Sequence, residues 1–103
     1  MDMNSQQELI QRYLRRQRIP ENRKGFHLLA RAIEICADGV SYEEAVDILA
    51  FQCQCSAEKV KKSMMRAAAI AWEDADETTV FANKRLTPEA FIALAVLALY
   101  KDQ

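Results

Sequence analysis

Apolar side chains recur at intervals of three and four residues along most of the chain, the period of a helix with one face in a core. Five helical segments follow from that spacing and from the residues that start and stop it. The first opens near Ser5, which pairs with Glu8 as a capping box. It sets Leu9, Ile10, Tyr13 and Leu14 on one face and arginines on the other, and stops at Ile19-Pro20. The second runs from Asn22 or Arg23 to Asp38, with Phe26, Leu29, Ala30, Ile33, Cys36 and Ala37 inward, and Gly39 suits the left-handed residue that ends it. His27, Arg31 and Glu34 then point outward. The third starts at Ser41, boxed with Glu44, and carries Ala45, Val46, Ile48, Leu49 and Phe51 to about Gln52. Only Cys53, Gln54 and Cys55 separate it from Ser56, the N-cap of a fourth helix reaching about Glu73. From Asp74 to Leu86 periodicity is lost apart from two anchoring side chains, Val80 and Phe81, and an extended connection is expected. Thr87-Pro88 supplies the cap and first-turn proline of a last helix to about Lys101.

The fourth helix carries the candidate chemistry. On a wheel of about 100° per residue, Val60, Met64, Ala67, Ala68 and Ala71 form a buried seam, and Lys59, Lys62 and Arg66 form a basic stripe outside it. Two capped helices joined by so short a turn have the anatomy of a helix-turn-helix, in which the N-terminal half of the second helix meets base edges and phosphates. Lys59, Lys62 and Arg66 would make those contacts, assisted by Lys61, Ser63 and Ser56, with the Arg12 to Lys24 cluster adding contacts to the DNA backbone. Helical hairpins without any DNA role share this anatomy, and a solvated lysine face is the plainer reading of the stripe. Met65, Ala69 and Trp72 form a second outward stripe, in which Trp72 is expected to pack under the following connection. The last helix is apolar around its whole circumference, through Phe91, Ile92, Leu94, Val96, Leu97 and Tyr100. Core contact on one side leaves apolar surface on the other, which favours a homodimer through this helix.

Composition narrows the class. The chain has 103 residues, enough for one compact domain, and half of them are hydrophobic, with two Gly and two Pro. An all-α bundle of five to six helices in a single domain is expected, with residues 1–4 loosely held. No apolar run reaches the roughly 18 to 20 residues that span a bilayer, and the N-terminus is too polar for a signal peptide, so a cytoplasmic, membrane-free protein is expected. The net charge of −1 argues against indiscriminate nucleic-acid binding. It hides a segregation. Arg12, Arg15, Arg16, Arg18, Arg23, Lys24 and Arg31 share their stretch with the single acid Glu21, while Glu34 to Asp47 holds five acids and no base. Glu73, Asp74, Asp76 and Glu77 follow the basic half of the fourth helix. The odd count of three cysteines predicts reduced, buried thiols. His27 is the only histidine, so Cys53 and Cys55 have no partners for a tetrahedral metal site. No nucleophile with a base, paired carboxylates or phosphate loop is present, so neither an enzyme nor a cofactor is expected.

Three blocks of the sequence resemble a known family. They are Ile19-Pro20 with Lys24-Gly25-Phe26, Leu29 and Ala32-Ile33; Ser56-Ala57 with Lys59-Val60, Lys62 and Ala71-Trp72; and Thr87-Pro88 with Phe91-Ile92-Ala93. In order and spacing they are similar to the C-terminal effector domain of the sporulation-initiation response regulators of endospore-forming bacteria, the sporulation stage zero A family. The resemblance covers nearly the whole chain from about Ser5. It implies an all-helical bundle whose helix-turn-helix binds short DNA boxes in tandem promoter sites, and whose last helix pairs neighbouring domains. Where that family's recognition helix carries arginines, this chain has Lys59 and Lys62, which keep charge without the guanidinium fork, and Met65, which cannot donate. The receiver domain that precedes the module in the family is absent from this sequence, as in a free-standing homologue or a piece of a longer regulator. Two functions remain: a DNA-binding transcriptional regulator, and a protein-interaction module that kept the fold and lost DNA readout.

Overall fold

The computed structural model describes residues 2–79 and 85–100. It is all-α, with five helices and no strand among the described residues: α1 (Asp2–Arg16), α2 (Lys24–Ala37), α3 (Tyr42–Cys53), α4 (Ala57–Glu73) and α5 (Pro88–Tyr100). Val80 and Phe81, the expected anchors of the α4–α5 connection, and Lys101 lie outside the described residues.

The ends follow local chemistry. Ser41 and Ser56 cap α3 and α4, each Oγ accepting a backbone N–H at 3.2 Å, from Glu44 and Lys59. Thr87 does the same for α5, accepting from Ala90 N–H at 3.2 Å. Gly39 takes φ +95° after α2, a conformation that costs glycine little. Gln54, at φ 56°, closes α3 in the left-handed region, and Cys55 N–H reaches back to Ala50 O at 3.0 Å. Arg18, at φ 67°, turns the chain out of α1, with Ile19 N–H bonded to Leu14 O at 3.2 Å. The start of α1 departs from expectation. The helix begins at Asp2 and Ser5 is an exposed residue within it rather than its cap, since no Pro or Gly breaks the helix upstream.

At the centre lies α2, which packs against each of the other four helices. That position explains why its buried arc is wider than one stripe. Phe26, Leu29 and Ile33 are buried as the spacing predicts, and so are Leu28 and Ala32 on a flank that the sequence reading left out. Fully burying side chains of this size stabilises by about 1.5–3 kcal/mol each before entropy is counted. The seam of α4 is the expected one: Val60, Met64, Ala67, Ala68 and Ala71 are all buried. Three expected inward residues instead face solvent. Leu9 is 51% exposed, because α1 centres its buried stripe on Ile10, Tyr13 and Leu14. In α3 the core contacts are Ala45, Val46, Leu49 and Ala50, and Phe51, about 200° round the wheel from Leu49, is 85% exposed, with Ile48 beside it.

The connection after α4 is held by polar ties. The Asp76 carboxylate accepts from Thr78 N–H at 2.8 Å and from its hydroxyl at 2.6 Å, and pairs with Arg18. These bonds, those of Thr78 first, hold the Asp76 carboxyl below its ordinary pKa. Trp72 is half-buried, and the Arg85 guanidinium carbon lies 3.5 Å from its ring centroid, so Arg85 covers one face of the ring. As this is the only tryptophan, Arg85→Ala is expected to red-shift the protein's fluorescence emission. Its stability cost should stay near the ~0.5–1 kcal/mol of an exposed cation–π contact.

In α5, Phe91, Ile92 and Ala95 are buried in the chain's own core, where Phe91 meets Tyr13 with ring centroids 6.1 Å apart. Val96 and Tyr100 are half-buried, the latter accepting from Gln6 Nε2 at 2.6 Å. The apolar surface left outside is Leu94 and Leu97, the latter 60% exposed. Phe91 and Ile92 therefore have no surface left to offer a partner, which corrects the expectation that they take part in a dimer contact. No helix among the described residues is long and apolar enough to cross a membrane.

Candidate nucleic-acid interface

One glycine sets the geometry of the face that matters. A Cβ on Gly25 would lie 2.3 Å from Ser63 O and 2.7 Å from Ala67 Cβ, so the first turn of α2 crosses α4 at a distance that only glycine permits. The crossing carries Lys24, the first residue of α2, against the N-terminal half of α4. Between the helices lies a cleft of about 300 Å³ lined by Lys24, Leu28, Cys55 and Val60, together with Lys59, Lys62, Ser63 and Arg66.

Four cations line that cleft and no carboxylate does. None of Lys24, Lys59, Lys62 and Arg66 forms an ion pair with a described residue. The end of α2 adds to the field. Arg23 occupies its N-cap position without a side-chain hydrogen bond, and no acid stands in the first turn, so the positive end of the helix dipole is not neutralised locally. A cleft of one sign with low-dielectric walls concentrates potential and attracts anions.

The residues expected from sequence divide. Lys59, Lys62, Ser63 and Arg66 come together in the cleft. Lys61 does not: it lies on the α3 side of α4, its Nζ 3.3 Å from Glu43 Oε1. Ser56 spends its hydroxyl oxygen as the cap of α4 and is not part of the lining. Lys24, expected from sequence to add backbone contacts as part of the Arg12 to Lys24 cluster, is the cation that completes the site. The signal that could have placed it is its neighbour Gly25, since a glycine inside a helical pattern marks close approach of another backbone. The rest of that run is dispersed. Arg15 makes a two-pronged pair with Glu21 at 2.8 and 3.0 Å, lowering the carboxyl pKa of Glu21, Arg18 holds Asp76, and Arg31 bonds Glu34 at 2.9 Å and Gln52 at 3.1 Å.

The remaining chemistry is sparse. Burial, reinforced by Glu89, raises the pKa of the Cys36 thiol. Cys53 is exposed rather than buried, because it ends α3 at the turn. No group of three or more His, Cys, Asp or Glu that could hold a metal gathers among the described residues. His27 is exposed and sets its ring edge-on to Phe26, centroids 5.3 Å apart. In comparisons with known proteins, no family model, no curated protein and no solved structure matches the chain.

Proposed function

We propose that the chain is a transcriptional regulator that binds double-stranded DNA in the cytoplasm, with α3 and α4 as a helix-turn-helix and α4 presented to the major groove. The observation that carries this reading is the carboxylate-free cleft in which Lys24, Lys59, Lys62 and Arg66 converge beside the N-terminal half of α4. Lys59, Lys62 and Arg66 contact phosphates and base edges, Ser63 adds a hydrogen bond, and Lys24 grips the backbone. The resemblance to the sporulation-initiation effector domain supports the same assignment of α4, and the outer face of α5, with Leu94 and Leu97, is the surface for a homodimer.

The acids after α4 do not cancel this field. Glu73, the last residue of α4, lies seven residues, about 10 Å of helix, beyond Arg66, the nearest cation of the cleft, which is further than the screening length of about 8 Å at physiological salt. Asp76, beyond it, is bound to Arg18.

The test is a mobility-shift titration of purified chain on selected duplexes at two salt concentrations. Four phosphate contacts predict a slope of log affinity on log salt of about −3 to −4. Lys62→Ala is expected to weaken binding and to make that slope shallower by about one. Absent or salt-insensitive binding overturns the proposal. Capture of a protein partner while DNA selection returns no motif would favour instead an interaction module, a reading that draws on Met65, which is 48% exposed on the outer side of α4.

A further inference from the structure

Two exposed helical faces lie outside the α4 cleft. On α3, Glu44, Asp47, Ile48 and Phe51 stand at i, i+3, i+4 and i+7, so they form one stripe, and all four are exposed. Glu44 and Asp47 make no ion pair with a described residue. On α1, Leu9, Arg12 and Arg16 stand at i, i+3 and i+7, all exposed, and the two arginines form no ion pair with a described residue either. One stripe is acidic with an apolar end, and the other is basic with an apolar end. Each runs over seven residues, about 10 Å of helix.

Laid antiparallel, the two stripes register. Leu9 meets Phe51, Arg12 falls opposite Ile48 with Asp47 one residue beyond it, and Arg16 falls opposite Glu44, because Arg12 and Arg16 lie three and seven residues after Leu9 while Ile48 and Glu44 lie three and seven before Phe51. The chain thus carries on α1 a basic, apolar-ended ridge of the kind that the α3 face would take, and an exposed phenylalanine has a reason. We propose that the α3 face of one copy docks the α1 face of the next. Since the two faces are on different helices, one such contact leaves an α1 face and an α3 face free at the two ends of the pair, and further copies add head to tail until the rotation between copies closes the assembly. Complementary charge sets register and orientation, and the Leu9–Phe51 contact supplies the apolar centre.

The contact is small, so free copies associate weakly, and the experiment is sedimentation velocity without DNA up to about 1 mM, the range in which contacts of only ~4 kcal/mol are populated. Two variants are compared with the unaltered chain, Glu44→Arg with Asp47→Arg and Arg12→Glu with Arg16→Glu, each checked for helical content by circular dichroism. Like charges then face each other within each variant, and its growth with concentration is expected to weaken roughly a hundredfold or more. An equimolar mixture restores opposite charges at every contact and is expected to associate again. All three chains are also compared in a Leu97→Glu background, so that pairing through the outer face of α5 does not contribute to the growth. The inference is overturned if the unaltered chain does not grow with concentration, if either charge variant grows as the unaltered chain does, or if the mixture fails to recover.

Discussion

Replacing Gly25 with alanine is expected to destabilise the protein by about 2 kcal/mol and to lower its melting temperature by about 10 °C, the scaling for a domain of this size. The new methyl group would sit 2.3 Å from a backbone carbonyl oxygen, Ser63 O, and 2.7 Å from Ala67 Cβ, and neither is the end of a flexible side chain. Relief therefore requires α2 and α4 to separate. Alanine favours helix over glycine by roughly 1 kcal/mol, which offsets part of the clash, and the figure of 2 is what remains of a backbone overlap. Valine in the same place should cost more. Thermal unfolding followed by circular dichroism gives the answer, and an unchanged melting temperature would mean that the helices have room to spare at the crossing. The same substitution tests how the cleft is built, because any separation moves Lys24 away from Lys59 and Ser63.

The features legible in the sequence are those decided within one turn of helix. Ser41, Ser56 and Thr87 cap the helices they were expected to cap, and Gly39 ends α2, because each satisfies backbone groups three or four residues away. The α4 seam was legible for a related reason. Its five buried residues span a single quadrant, and alanines leave little doubt about which side approaches other helices closely. Periodicity does not state how wide a buried face is, since that depends on how many neighbours the helix has. So Leu28 was missed on α2, which is surrounded, and Ile48 and Phe51 were misplaced on α3, which packs through one narrow side. The partners of charges are equally hidden. Arg18 and Asp76 are 58 residues apart and Lys61 and Glu43 are 18 apart, so only the fold reveals that two members of the basic runs are committed elsewhere. The place of Lys24 in the cleft depends on the approach of Gly25 to Ser63; the glycine marks a close approach, but no local pattern names α4 as the helix that approaches.

Reversing two cations of the cleft, Lys59→Glu together with Lys62→Glu, is expected to reduce DNA affinity by about a thousandfold or more, on the order of 4 kcal/mol for two lost contacts at roughly 1–3 kcal/mol each. Loss of contact is only part of the effect. The new carboxylates would lie beside Lys24 and Arg66 in the same lining, drawing those cations inward and presenting negative charge to phosphate. Both positions are exposed and outside the buried seam, so folding should be little changed, and circular dichroism would verify it. The decisive control is Lys61→Glu compared with the single variant Lys62→Glu. The two change the net charge equally and are adjacent in sequence, but Lys61 faces Glu43 on α3 while Lys62 lines the cleft. A mobility-shift titration at fixed salt should find Lys62→Glu much the more damaging. Equal losses would mean that binding follows the overall charge of the molecule and that the cleft has no special part in it. A loss confined to Lys62→Glu would tie affinity to position, which is what a protein of net charge −1 needs in order to hold a polyanion at all.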